Sequence, residues 1–474
     1  MELRDSILKL FSGSIVLALV EFAAIAGFTQ ALGTGPMGSF FVFQTVVGML
    51  GIPFDLGVSK ASEKQLSADE PDGEVFVTAV LVKAVLLTPA IVGLALATPR
   101  VEQYVGVAGV VPLVVGGLLI DQGRRLSLRL LAGQLRVDQN ALLKVIGKVT
   151  WVVSGAALVH YGWGAKALIA GFVLGRLATL LGALVRLDLA AGRPTLDRAR
   201  GLVDFGRYVF VGSVSGFLYQ WMDVAILRLF VGVELVGAYE IAWRVASVAM
   251  MLTRAIRTSL FPQISRWHAR DEIGEIESAF RQWLQIPLYL TIPAFAGALV
   301  LGKEVLGTLF GADVTVAYPV LLVFMTEKIL RSVQLVLGPS LFAMDKPTLG
   351  YRGSAAAIVV NLVLNFALIP RFGIVGAAVA TTLSAATAAT VAITYVSRFV
   401  DIDVPWRRVA WSAASAAIMA GAVAVVLPSL PTGWPRVALG VAAGVAVYGA
   451  LLLVHGGIRL EMRGAIEDIT GASL

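Results

Sequence analysis

Glu240, Arg244 and Arg254 stand in an otherwise apolar stretch of sequence, and their spacing is helical. At 100° per residue Arg244 sits one turn beyond Glu240, and Arg254 returns to within about 40° of it, so the three share one helix face. Asp223 lies just upstream, and Glu21, Lys83, Lys144, Lys148 and Arg176 are similarly embedded toward the N-terminus. Lys144 and Lys148, four apart, make a cationic face with no carboxylate of their own. Guanidinium and ammonium groups are the usual partners of phosphate, so the chemistry on offer is recognition of an anion. Metal chemistry finds little support: the chain has no Cys, and its 3 His, His160, His268 and His455, stand far apart. The absence of Cys excludes disulfides and thiolate zinc sites, and no cofactor is expected.

An ion at the centre of a helix in hydrocarbon costs about 2.5 to 3.5 kcal/mol on insertion scales, so such groups should face water or a partner. Glu21, Arg176, Asp223, Glu240 and Arg244 are therefore candidates to line a substrate-binding cavity. Lys83, Lys148 and Arg254 form a second tier, because a long side chain within two turns of a span end can reach the headgroups. Glu327 and Arg331, four apart, read as a structural pair. The embedded cations outnumber the embedded acids Glu21, Asp55, Asp121, Asp223, Glu240 and Glu327, which suits a phosphate or pyrophosphate headgroup and suits an organic cation poorly.

The elements that must hold these charges are membrane helices. The 474 residues are 58% hydrophobic and only 15% charged, with a mean hydropathy of +0.83. A soluble chain of this length needs more charged surface. Hydrocarbon about 30 Å thick takes roughly 20 helical residues to cross. Fourteen stretches meet that length: 11–32, 37–58, 75–97, 105–127, 141–160, 165–187, 208–231, 236–260, 284–306, 317–343, 353–370, 373–397, 407–427 and 436–456. The first is too long, and followed by too many like it, to be a removable leader.

Charge sorting orients them. Of the 38 lysines and arginines, only Arg100, Lys303, Arg371 and Arg436 fall in the expected outer segments, and most of the rest sort to inner ones. The bias places both termini in the cytoplasm of a multi-pass plasma-membrane protein. The net charge of +7 thus reads as topology, not as a nucleic-acid footprint, and no zinc-finger or Walker spacing accompanies it. Residues 261–283, "FPQISRWHARDEIGEIESAFRQW", read equally as an interfacial helix or a soluble connector.

The two halves echo each other. "LGTGPMGSFFVFQTV" at 32–46 lies on "FVGVELVGAYEIAWRV" at 230–245 with Gly33 on Gly232, Gly38 on Gly237 and Phe40 on Tyr239, a shift of 199. "ALVHYGWGAKALIA" at 157–170 lies on "ALIPRFGIVGAAVA" at 367–380 at a nearly equal shift. The expected fold is an all-α integral membrane protein of 14 transmembrane helices, two six-helix lobes in parallel pseudo-twofold repeat plus two C-terminal helices. The domains would be 1–187 (N-terminal lobe), 188–207 (cytoplasmic linker), 208–397 (C-terminal lobe) and 398–474 (two helices and a cytoplasmic tail).

Four passages carry a resemblance: "LGTGPMGSFFVFQTVVGML", "FLYQWMDVAILRLFVGVELVGAYEIAWRV", "SLFPQIS" and "NLVLNFALIPRFGIVGAAVATTLS". Together they resemble the polysaccharide transport family of lipid-linked oligosaccharide flippases, within the multidrug/oligosaccharidyl-lipid/polysaccharide exporter superfamily. The resemblance implies alternating access that moves a polyprenyl phosphate- or pyrophosphate-linked sugar from the cytoplasmic to the outer leaflet, for surface polysaccharide or glycoprotein assembly. It implies a non-enzymatic monomer whose partners are the lipid-linked oligosaccharide, membrane lipids and enzymes of glycan assembly, with no nucleic acid. The alternative is a cation-coupled multidrug or small-molecule antiporter of the sister family, favoured by an acidic, aromatic cavity. A sugar-transferring enzyme fits less well, because every expected outer loop is short.

Overall fold

A computed structural model describes residues 2–68, 72–188, 192–456 and 459 of the chain, with side-chain surroundings given outside 2–16, 72, 209, 211–219, 252, 255, 258 and 259. The expected cytoplasmic tail from residue 460 onward, Arg463 included, lies outside the described residues. In chain order the helices are α1 (Glu2–Leu32), α2 (Thr34–Gly51), α3 (Val58–Leu66), α4 (Asp72–Leu96), α5 (Thr98–Val105), α6 (Val111–Gly133), α7 (Val137–His160), α8 (Ala165–Arg186) and α9 (Leu196–Phe230). They continue with α10 (Val233–Ser247), α11 (Met251–Ala269), α12 (Ile273–Trp283), α13 (Gln285–Phe310), α14 (Tyr318–Ala343), α15 (Pro347–Val396), α16 (Trp406–Val426) and α17 (Trp434–Val454). The chain forms two compact units, Met1–Glu240 and Ile241–Leu474.

The all-α membrane character holds, but the count of fourteen spans does not. Among the described residues, seven helices are long and apolar enough to cross a membrane: Gly73–Leu96, Val137–His160, Ala165–Arg186, Ile273–Phe310, Pro347–Val396, Trp406–Ser429 and Trp434–Val454. The differences have physical causes. The expected spans 353–370 and 373–397 both fall within α15, which counts once although a kink with non-helical torsions at Gly373 divides it. The expected span 236–260 is cut by a 3-10 turn at Val248–Met250. α6 carries Asp121, Arg124, Arg125 and Arg129, and α14 carries Glu327, Lys328 and Arg331. α2 is short and diluted by glycine, threonine and glutamine.

Local signals explain several helix ends. The Thr195 side chain accepts from the Arg198 backbone N–H at 3.4 Å and caps the start of α9. α5 stops at Gly106 in the left-handed region (φ 76°). Gly164 before α8 and Gly373 inside α15 have the same backbone torsions, φ 54° and ψ −132°, so the two glycine-bearing turns of the echoed passages are built alike. A side chain is disfavoured in that conformation.

In the first unit an aromatic core joins α1, α2, α7 and α8. Phe40 stacks on Trp151 at 5.6 Å between ring centroids, meets Phe172 edge-on at 5.5 Å, and Phe28 tilts against Trp151 at 5.9 Å. A second core collects Val58, Leu126, Leu130, Leu131 and Leu143. In the second unit Ile276 and Phe280 of α12 are fully buried against Leu337, Leu341 and Val396. The 261–283 stretch is therefore a helical pair packed on its own unit, with Arg281 Nε 3.1 Å from Asp403.

Candidate functional site

The densest charge in the first unit is built on α6. Asp121 is followed by Arg124 and Arg125, three and four residues on, so all three lie on one face of the helix. Asp121 is fully buried. Its Oδ1 accepts from Arg124 Nη2 at 2.6 Å and Nε at 3.0 Å, and its Oδ2 accepts from Arg125 Nε at 2.7 Å. Arg176 of α8 donates from Nη1 to the same Oδ1, and its guanidinium carbon lies 4.2 Å from the centre of the Phe172 ring. One carboxylate thus meets three guanidinium groups. Burial of that carboxylate would be costly alone and is offset by charge-assisted hydrogen bonds. Three cations against one anion leave a net positive site.

Lys83 of α4 is placed in a second network. It is buried, pairs with Asp55, and donates to Gln122 Oε1 at 2.6 Å. Gln122 Nε2 in turn donates to the Gly51 carbonyl at 2.5 Å, and Ser59 Oγ donates to Asp55 Oδ1 at 2.6 Å. The network ties α4 and α6 to the C-terminal end of α2 and the start of α3.

Two of the residues singled out from sequence meet directly. Lys148 Nζ of α7 lies 2.6 Å from Glu21 Oε2 of α1, and the same ammonium is 5.2 Å from the Trp151 ring centre. The cationic face of Lys144 and Lys148 therefore acquires a carboxylate from another helix at one of its two positions. Asp223 of α9 accepts from the Tyr239 hydroxyl at 3.3 Å. Glu240 and Arg244 share α10, whereas Arg254 is exposed on α11 beyond the 3-10 turn, so the count of 100° per residue does not run unbroken to it. In the second unit Glu327 pairs with its neighbour Lys328 at 2.7 Å, both of them buried.

Arg228 serves structure. It donates to the carbonyls of Tyr104 (2.8 Å), Gln103 (2.8 Å) and Val231 (3.1 Å), while Tyr104 Oη donates to Ala225 O at 2.7 Å. Burial pushes the Tyr104 phenol up to about 12, against the opposing pull of Arg228, so it remains a donor throughout the ordinary pH range.

In the sorting of basic residues Arg124 and Arg125 count among the inner, cytoplasmic charges, so the core of the Asp121 cluster does not emerge from it. The i, i+3, i+4 spacing from Asp121 was the available signal. Arg176 was singled out, but its carboxylate partner, 55 residues away in sequence, left no local trace.

The family model described as "Polysaccharide biosynthesis protein" matches residues 35–319. The probable low-salt glycan biosynthesis flippase Agl15 of Haloferax volcanii is 38% identical over 421 residues, covering 89% of each chain. The probable flippase AglR of the same organism is 30% identical over 402 residues, covering 84% of this chain and 83% of its own. Among solved structures, the lipid II flippase MurJ in an inward closed conformation superposes with a TM-score of 0.79 at 13% identity, covering 94% of this chain and 98% of its own. An inward-facing multidrug resistance transporter of the MATE family and MOP superfamily gives 0.64 at 14% identity, with 80% and 93% covered. At such identities these two structures speak for the fold alone, but the family model and the Haloferax relatives go further: the chain belongs to the polysaccharide biosynthesis protein family.

Proposed function

We propose that the protein is a flippase that moves a lipid-linked glycan across the plasma membrane, from the cytoplasmic to the outer leaflet, without making or breaking a covalent bond. The observation that carries this reading in a chain of this family is the charge at Asp121, where one buried carboxylate is met by Arg124, Arg125 and Arg176. A phosphate or pyrophosphate cannot cross hydrocarbon unaided, because the cost of taking an isolated ion out of water is prohibitive. A protein path that exposes cations to one side and then the other replaces the lost hydration. The polyprenyl tail stays in the bilayer, since withdrawing it would cost about 0.8 kcal/mol per CH₂.

In this account Arg176, Lys148 and Arg244 receive negative charge, and Glu21, Asp223 and Glu240 hold those cations or accept sugar hydroxyls. Lys83 and Arg254 act at the margins. The sorting of lysine and arginine supports cytoplasmic termini; the family resemblance is what suggests a monomer among membrane lipids, beside the enzymes that assemble the glycan. Membrane voltage can bias the movement by about 2.3 kcal/mol per charge per 100 mV. Deleting the gene in its own organism tests the reading. Lipid-linked glycan should accumulate on the cytoplasmic leaflet while the surface glycan is lost; normal surface glycan with no accumulated precursor would overturn it.

A further inference from the structure

A cavity of about 490 Å³ opens in the first unit between α3, α6 and α7. Five cations line it, Lys60, Arg124, Arg125, Arg129 and Lys144, against the carboxylates Asp55 and Glu63. Those carboxylates are already engaged. Asp55 is held by Lys83 and Ser59, and Glu63 takes Arg129 at 2.8 Å. Arg124 and Arg125 bind Asp121. Lys60 and Lys144 are left exposed on the cavity, with no carboxylate partner among the described residues.

Asn140 supplies the complementary feature. Its amide Nδ2 donates to Leu128 O at 3.1 Å, while its Oδ1 is buried and accepts no hydrogen bond among the described residues. A buried acceptor without a donor costs about 1–3 kcal/mol. The lining therefore offers two spare ammonium groups and one spare acceptor. The matching ligand has anionic oxygens beside a free hydroxyl, and the volume falls within the usual range for small-molecule sites.

We infer that this cavity binds a phosphate ester bearing a hydroxyl group, with Lys60 and Lys144 on the phosphate oxygens and Asn140 Oδ1 accepting from the hydroxyl. Neither the Glu21–Lys148 pair nor Asp223, Glu240 or Arg244 lines it, but Arg124 and Arg125 of the Asp121 cluster do, so the cavity adjoins the charge that carries the flippase reading. Two sources offer this chemistry: the sugar phosphate of a lipid-linked glycan and the glycerol phosphate headgroup of an anionic phospholipid. The proposal rests on the flippase reading only for the first of these sources; the site itself stands on the cavity lining.

The test is binding to the full chain in nanodiscs of phosphatidylcholine, using a short-chain polyprenyl-phosphate sugar, phosphatidylglycerol, phosphatidic acid and inorganic pyrophosphate as probes. The double variant Lys60→Gln/Lys144→Gln should weaken the phosphate-bearing probes roughly five- to tenfold, the scale of two partly exposed charge contacts. Lys60→Arg/Lys144→Arg should keep affinity near wild type. Asn140→Leu should weaken the sugar phosphate and phosphatidylglycerol more than phosphatidic acid, which has no headgroup hydroxyl. Preference for the polyprenyl probe identifies the glycan carrier as the occupant, and preference for phosphatidylglycerol identifies a resident lipid; both uphold the site. Unchanged affinity for every probe in a double variant that melts at the wild-type temperature overturns it. Leaflet exchange is scored separately on the same preparations. Normal exchange with unchanged binding would remove this site and leave the flippase reading intact, whereas lysine-dependent binding without exchange would do the reverse.

Discussion

Gly38 and Gly237 face each other so closely that neither position has room for a side chain. A Cβ on Gly38 would run into the carbonyl of Val233, and one on Gly237 into the carbonyl of Thr34. The contacts are reciprocal at the sequence shift of 199: Thr34 corresponds to Val233 as Gly38 corresponds to Gly237. The first turns of α2 and α10 therefore cross backbone to backbone, the arrangement that small residues permit where no hydrophobic force drives helices together.

Gly38→Ala is expected to destabilise the protein by about 1–3 kcal/mol, the usual cost of overpacking, and Gly237→Ala by a similar amount. Gly27→Ala is the control, since a Cβ there meets nothing within 4 Å. Thermal melting in detergent checks all three; equal melting temperatures for Gly38→Ala and Gly27→Ala would remove the crossing from the account.

Asp121→Asn should be among the most damaging single substitutions in the first unit. It leaves the guanidiniums of Arg124, Arg125 and Arg176 against a neutral amide, and breaking a buried pair from one side costs about 3–5 kcal/mol. Denaturation of Asp121→Asn and of Asp121→Asn/Arg176→Leu measures it, with the double variant expected to recover part of the loss. A double variant less stable than the single one would argue against mutual compensation.

Phe40→Ala empties the stack against Trp151 and Phe172, both within 6 Å centroid to centroid of Phe40. A loss of about 3–5 kcal/mol follows from the transfer and cavity terms. Phe40→Leu should lose less than half of that, as read from the same melts.

The Glu21–Lys148 pair is partly open to its surroundings, with 35% and 24% of the respective side chains exposed. Its coupling energy should accordingly be small, about 0.2–1 kcal/mol in a double-mutant cycle on stability. Its effect on transport should be larger: Lys148→Gln slows exchange while barely moving the melting temperature. A large stability coupling with unaltered transport would make the pair a clamp between α1 and α7.

Much of this was legible in the residues. An ion in an apolar stretch announces a special environment whatever its partner, so Glu21, Lys83, Lys148 and Arg176 stand out in the sequence alone. What stayed hidden was pairing across helices, as between Arg176 and Asp121 or Lys83 and Asp55, because nothing local encodes which helix will be the neighbour. Hydropathy also misplaced ends. It stops a span at residue 127 where α6 runs on to Gly133, which leaves Arg129 outside the expected helix. The break it places between 370 and 373 coincides with the kink of α15 at Gly373, whose torsions are not helical. The count of crossing helices errs because a run of apolar residues does not reveal a break such as Val248–Met250, and because α6 and α14 count as spans despite the charges they carry.

The central claim is that embedded cations carry an anionic lipid-linked sugar from one leaflet to the other. Its most direct measurement is leaflet exchange of a labelled polyprenyl-phosphate sugar in liposomes holding the purified protein, with Arg176→Gln and Lys148→Gln reconstituted alongside at matched density. The account predicts exchange well above that of protein-free liposomes, reduced about tenfold or more in each variant, as when a desolvated charge contact worth at least 1.4 kcal/mol is lost. Exchange no faster than in empty liposomes, or undiminished in both variants, would contradict it.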